Sequence, residues 1–304
     1  MILGPVNKIS AALSAALSAT LRTTIVLVAS AASLMACGVN SASNGNGTAL
    51  GIIGGQNVGP NDAIAHVTVA LYDVDLHALC TASIISSKFL VTAAHCVNPK
   101  SPTSLRVVYG TDLNNKATIV AVGKVTGAMQ STGWATNQNQ NKNTGDIAIV
   151  RLASALPAGF GPAQILNQPH ALQAGQDILL AGYGISTGHP DPASPNDGGA
   201  GTLRQVVTKM IDPAYSQTEV MLDESQGKGA CHGDSGGPAY VNVGGKAMLF
   251  GVTSRGTDQF CSKGVIYTNI LAYSAWLTKA AQALEAQSTA APGFFPRMLT
   301  QLNL

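Results

Sequence analysis

From Ile52 onward the chain is a succession of short apolar runs separated by turn residues. Residues 66–72 (HVTVALY), 83–85, 88–92 (KFLVT), 105–109 (LRVVY), 117–122 (ATIVAV) and 147–152 (IAIVRL) each read as strands. The series continues at 177–181, 203–208, 239–241, 248–253 and 265–267. No helical pattern stands between these runs, so they predict an all-β barrel or sandwich. Two segments break the texture. Residues 186–201 form a Gly/Pro/Asp-rich loop, and residues 271–284 place Leu271, Ala275, Trp276, Ala280 and Leu284 near one helical face. The second segment predicts a C-terminal amphipathic helix.

Upstream of Ile52 the pattern is different. Lys8 and Arg22 precede an apolar run at 25–34 (IVLVASAASL), shorter than the about 20 residues a bilayer span needs. An export signal over residues 1–36 is the reading that fits. Leu34-Met35-Ala36-Cys37 follows directly and resembles a bacterial lipobox, in which the cysteine becomes lipidated and N-terminal. Ordinary cleavage near Ala29-Ser30-Ala31 is the alternative. Residues 37–51 are small, polar and uncharged, the composition of a flexible linker or propeptide. A domain then runs over 52–287, and 288–304 read as a loose tail.

Charged residues make up only 11% of the 304, and the net charge is +2 without a Lys/Arg run. Nucleic-acid binding therefore finds no support, and neither zinc-finger nor other metal-ligand spacing is present. No cofactor is expected. The five cysteines are Cys37, Cys80, Cys96, Cys231 and Cys261. Two disulfides within the domain, and a separate role for Cys37, account for the odd number.

Three strings carry chemistry. In GDSGGP at 233–238, three glycines surround Ser235, which permits a turn closed to bulkier residues. Such a turn exposes the hydroxyl and aims successive amides at one point, as acyl transfer requires. In TAAHC at 92–96, His95 adjoins a cysteine whose disulfide would clamp the backbone. Serine needs a neighbouring base to take its proton, and imidazole is poised for that near neutral pH. In DIAI at 146–149, Asp146 heads an apolar strand, where a carboxylate is costly unless paired. His95 is its natural partner.

The order His, Asp, Ser, together with IIGG at 52–55, GYG at 182–184 and SRG at 254–256, resembles the trypsin/chymotrypsin family over residues 52 to about 284. The resemblance implies two six-stranded antiparallel β-barrels, with the active site between them and a C-terminal helix. It implies a secreted serine endopeptidase, most simply a monomer, acting on polypeptides. Ser235 would be the nucleophile, His95 the base, Asp146 its orienting carboxylate, and Ser254 the support of Asp146. Gly233 and Ser235 would supply oxyanion-hole amides. Cys80–Cys96 and Cys231–Cys261 would be the disulfides. Gly229, Gly256, Gly264 and Val265 would line the specificity pocket, whose uncharged base favours apolar over Arg or Lys side chains. A new amine at Ile52 would pair with Asp234 on zymogen activation.

Four features depart from the family pattern. Gly51, not Arg or Lys, precedes Ile52. Arg255 replaces a tryptophan, no cysteine pair braces the long loop of the second barrel, and residues 186–201 are longer than usual. A catalytically inactive trypsin-like binding module is the competing reading. Such modules usually lose one of the three catalytic residues, and all three are present here. An esterase is disfavoured because the serine turn is not G-x-S-x-G between strand and helix.

Overall fold

A computed structural model describes residues 52–99, 101–168, 171–186 and 198–289. The expected export signal, Cys37, the linker to Gly51, residues 187–197 of the long loop and the tail from 290 lie outside the described residues.

The apolar runs fold into two closed antiparallel barrels, as the resemblance implied. Strand β1 (Gln56–Asn57) is a short outer strand paired with Arg204 and Gln205. The first barrel holds β2 (Thr68–Asp73), β3 (Ala78–Ile84), β4 (Phe89–Thr92), β5 (Leu105–Gly110), β6 (Ile119–Gln130) and β7 (Ala148–Leu152). It closes in the order β2-β3-β4-β7-β6-β5. The second holds β8 (Asp177–Gly182), β9 (Arg204–Asp212), β10 (Glu219–Asp223), β11 (Pro238–Val243), β12 (Lys246–Gly256) and β13 (Gly264–Asn269). Its ring is β9-β10-β13-β12-β11-β8, closed by the β8–β9 pairing. Closure leaves neither ring with a free edge.

The alternating side chains of one strand serve two cores. Val69 and Leu71 point into the first barrel while Ala70 packs between the barrels. Along β7, Ala148 and Val150 fill the barrel and Ile149 joins the core shared with Tyr183, Leu203, Tyr240 and Val252. Burial on both faces explains why 147–150 reads as continuously apolar rather than alternating. The second barrel closes on Ile178, Leu180, Val220, Leu222, Phe250 and Tyr267, all with almost no exposure.

Two expectations need correction in detail. Strand β6 continues to Gln130, past Val122 where its apolar pattern ends. Gly123, Lys124 and Gly127 interrupt that pattern, but the backbone goes on pairing with β5 and then β7 across a register shift between Val125 and Gly127. Strand β10 has no counterpart in the expected series, because its apolar run is only Val220-Met221-Leu222 with a carboxylate at each end.

After the one-turn helix α1 (Trp134–Asn137), the remaining α-helix among the described residues is α2 (Ser274–Thr289), preceded by a 3-10 turn at Ile270–Tyr273. It packs on β7 and β6. Its buried face keeps the expected Ala280 and Leu284, with Trp276 packed partly against the core, and adds Leu277. Ala275 is exposed, and Leu271 belongs to the preceding turn and packs on the second barrel. The tighter 3-10 turn shifts the helical phase, so Leu277 takes the inward position. Burying leucines such as Leu277 and Leu284 stabilises the docking by about 1.5–3 kcal/mol each. The Lys88–Glu285 ion pair at 3.2 Å is exposed and adds little. Among the described residues no helix is long and apolar enough to cross a membrane.

Candidate active site

His95 lies in the 3-10 turn Ala94–Cys96 that follows β4, and the Cys80–Cys96 disulfide ties this turn to β3. Asp146 precedes β7 and is 2% exposed. Because β4 and β7 are paired from Thr92–Ala148 to Phe89–Arg151, the ends of both strands deliver the two residues to one place. The Asp146 carboxylate accepts the His95 backbone amide at 3.0 Å and faces its Nδ1 at 2.8 Å. This bond assigns the proton to Nδ1 and leaves Nε2 as the basic nitrogen. Burial alone would lower the His95 pKa, but the hydrogen bond and charge of Asp146 outweigh it, holding the imidazole above 6.5. Ser254 Oγ donates to Asp146 Oδ2 at 2.7 Å, and Thr268 Oγ1 donates to the Asp146 carbonyl at 2.8 Å.

Ser235 borders the same cleft as His95, a space of about 320 Å³ that also touches Leu71, Cys80, Cys96 and Asn98. Its turn is braced from the first barrel by Thr81. The Thr81 amide donates to the Ser235 carbonyl at 2.8 Å, and Thr81 Oγ1 donates to the Gly233 carbonyl at 3.0 Å. Gly233 adopts φ +95° and Gly236 φ +80°, a region closed to most side chains. Gly236 and Gly237 donate to the carbonyls of Thr253 and Asp234, whereas the Gly233 and Ser235 amides meet no backbone acceptor among the described residues.

Asp234 is completely buried beneath this turn. Its carboxylate accepts the Gly184 amide at 2.8 Å and the Cys231 amide at 2.9 Å. Burial pushes its pKa up to about 7, against the pull of those amides and the Arg204 charge. Among the described residues no cation forms an ion pair with it. Gly184 makes this fit possible, since a Cβ there would lie 2.5 Å from Asp234 Cγ and 2.6 Å from Oδ2. Gly184→Ala is therefore expected to cost roughly 1–3 kcal/mol of stability and to lower kcat more than it raises KM. Denaturant unfolding and steady-state kinetics on the purified variant check both.

Ile52 is fully buried in the core of the second barrel, and the amide of Gly229 donates to the Ile53 carbonyl at 3.1 Å. Cys231–Cys261 closes next to this segment. Strand pairing sets Gly256 opposite Val265 and Asp223 opposite Gly264. The four expected pocket residues thus lie on neighbouring segments of the second barrel.

A trypsin family model matches residues 52–277. Brachyurin from Leptuca pugilator is 26% identical over 238 residues, covering 74% of this chain and 96% of that protein. The chymotrypsin-like elastase family member 1 of Macaca fascicularis is 29% identical over 250 residues, 75% of this chain and 88% of its own. Human kallikrein-11 is 26% identical over 206 residues, 66% and 70%. The chain belongs to the trypsin family. Membership supports a serine-type peptidase with polypeptide substrates.

Three features of this trypsin-family site escaped the sequence reading. Thr81 carried no signal beyond its place after Cys80. Arg255 proves to be neutralised. Its guanidinium meets Glu219 Oε1 at 2.8 Å and the Asn141 carbonyl at 2.6 Å. Glu219 also accepts the amides of Asn143 and Thr144, and these donors with Arg255 outweigh burial to hold it ionised. The Arg255–Glu219 pair therefore fastens the segment leading into Asp146. The third feature is Glu224, which is buried against Gly229. Among the described residues, the two groupings of three potential metal ligands are Cys80/His95/Cys96 and Cys231/His232/Cys261. In both, the sulfurs are committed to a disulfide and cannot act as thiolate ligands.

Proposed function

We propose that the protein is a serine endopeptidase that hydrolyses peptide bonds through Ser235, His95 and Asp146. The observation that supports it most is the 2.8 Å contact of Asp146 with His95 Nδ1 beside a cleft that Ser235 also borders. In this reading His95 Nε2 takes the Ser235 proton as Oγ attacks the substrate carbonyl. Asp146, held by Ser254, stabilises the imidazolium that forms. The amides of Gly233 and Ser235 stabilise the oxyanion. His95 then protonates the leaving amine, and water hydrolyses the acyl-enzyme by the same path in reverse. Gly229, Gly256, Gly264 and Val265 contribute no charge and favour Leu, Phe, Tyr, Met, Ala or Val before the scissile bond.

The same reading extends to location. The protein is exported from a bacterial cell as a monomeric zymogen, tethered by lipid at Cys37 and released by cleavage between Gly51 and Ile52. The supporting features are the apolar run at 25–34, the LMAC string at 34–37 and the uncompensated Asp234.

Casein and a long-chain fatty ester, offered to the purified protein cut at Gly51–Ile52 with and without EDTA, test the reaction class. Cleavage of casein that persists in EDTA is expected. Hydrolysis of the ester alone would assign a different reaction, and no turnover of either would favour the inactive binding module.

A further inference from the structure

Glu224 follows β10 in the loop that leads to Gly229. It is 1% exposed, and neither carboxyl oxygen has a closed hydrogen bond among the described residues. Its backbone is pinned on both sides. The Glu224 amide donates to the Lys263 carbonyl at 3.3 Å, and its carbonyl accepts the Gly227 amide at 3.0 Å. The side chain fills the space that a side chain at position 229 would occupy. A Cβ on Gly229 would lie 2.7 Å from Glu224 Cδ, and nearer still to its Cγ and Oε1. The pocket base lacks charge at Gly229 itself, yet a carboxyl from five residues upstream stands in that place.

The surroundings make this carboxyl unusual. Burial pushes it up to about 8, the nearby Ala230 amide pulls the other way more than any single neighbouring charge though without a closed hydrogen bond, and the charges of Asp258, Asp234 and Asp223 push it further up. The titratable groups whose charge it feels are therefore all acidic. The buried Tyr267 hydroxyl, which also lacks a closed bond, feels the Glu224 charge in turn. A buried acid kept for architecture is normally paired or hydrogen-bonded, because leaving it unpaired costs the full desolvation penalty. A cation with several N–H donors is the kind of group that would satisfy both oxygens.

We propose that Glu224 is a specificity-determining residue that adds Lys and Arg to the side chains accepted before the scissile bond, its carboxylate pairing with the incoming ammonium or guanidinium. This rests on the reading of the chain as a serine endopeptidase whose pocket is built on Gly229. Arg can engage both carboxylate oxygens at once, whereas Lys meets them as a point charge, so Arg gains more from the pair. Apolar side chains remain acceptable, since the unpaired carboxyl is readily held neutral.

Benzamidine, an amidinium that binds without chemistry, separates this role from catalysis. It is titrated calorimetrically into the full chain and the form processed at Ile52, above about pH 8 where the carboxyl ionises. The processed form is expected to bind, and Glu224→Gln to raise its Kd at least about 30-fold. The ratio of kcat/KM for Arg over Leu substrates should fall by a similar factor, while Leu cleavage changes less than about threefold. The double variant Glu224→Ala with Gly229→Asp returns a carboxylate to the same space and should recover benzamidine binding. A Kd unmoved by Glu224→Gln, or no binding in either form, would overturn the proposal. Cleavage after Leu or Phe without benzamidine binding sinks the role of Glu224 and leaves the peptidase standing. Benzamidine binding without peptide cleavage does the reverse.

Discussion

Ser235→Ala and His95→Ala are each expected to remove nearly all turnover, by about 10⁶-fold in kcat, while the protein stays folded. Alanine at 235 leaves no atom to form the acyl-enzyme. Alanine at 95 leaves Ser235 without a base and strands the Asp146 carboxylate, whose remaining partners are the residue-95 amide and Ser254 Oγ. The two losses should not add, because each residue is useless without the other. Asp146→Asn is expected to cost less, about 10⁴-fold, by favouring the wrong imidazole tautomer rather than removing the base. Wild-type activity should rise with pH as His95 loses its proton, at a value above 6.5 because Asp146 favours the charged ring. Steady-state kinetics across pH, with circular dichroism to verify folding, read all of this. Retention of most activity by Ser235→Ala would remove the nucleophile assignment.

The second large effect concerns processing. A chain uncut at Gly51–Ile52 is expected to be at least about 10³-fold less active than one beginning at Ile52. Asp234 lies beneath the turn that carries both oxyanion-hole amides, and loss of such donors costs about 10²–10³-fold each. Without a cationic partner its carboxyl is driven towards the neutral form, and a buried ammonium from Ile52 reverses this. The pH dependence of stability carries the same signature. A folded pKa of about 7 against an ordinary 3.8 means that the fold holds this proton more tightly than the unfolded chain. The Asp234 contribution to the stability of the uncut chain is then greatest below about pH 4. It falls as pH rises towards 7, by up to about 4 kcal/mol. Glu224 adds to the decline in the same direction, up to about pH 8. Pairing with the Ile52 amine should flatten the Asp234 part of the curve in the processed form. Urea unfolding of both forms of Ser235→Ala, which cannot cut itself, checks the stability prediction. Full activity in a chain still carrying lipidated Cys37 would contradict the activation scheme.

Features that act locally were legible in the sequence. The glycine-rich turn at 233–238 and the His-Cys pair at 95–96 are contiguous, because a tight turn and a clamped imidazole are built from neighbouring residues. Asp146 was legible for a different reason, since a carboxylate at the head of an apolar strand must find a partner. Features that depend on chain segments meeting in space were not. Thr81 braces the Ser235 turn from another barrel, and only the β2–β3 and β3–β4 pairings bring it there. Arg255 stood out only as a replacement for tryptophan, and its partner Glu219, 36 residues away, gave no sign of the pairing. Strand β10 was hidden by the same Glu219, whose burial is affordable only with that arginine present. The family resemblance pointed to Gly229 but could not show that Glu224 fills the room that this glycine leaves. The helix face was legible at Ala280 and Leu284 but not at its start, because a 3-10 turn, invisible to a 3.6-residue period, precedes α2.

A fluorophosphonate that reacts with activated serines tests the central claim most directly. It is applied to the processed wild-type protein, to Ser235→Ala and to His95→Ala, and the adduct is located by peptide mass mapping. The account predicts one adduct per wild-type chain, on Ser235, and parallel loss of casein cleavage, with neither variant labelled at a comparable rate. An unlabelled wild-type protein, or an adduct on another residue that still abolishes cleavage, would contradict it.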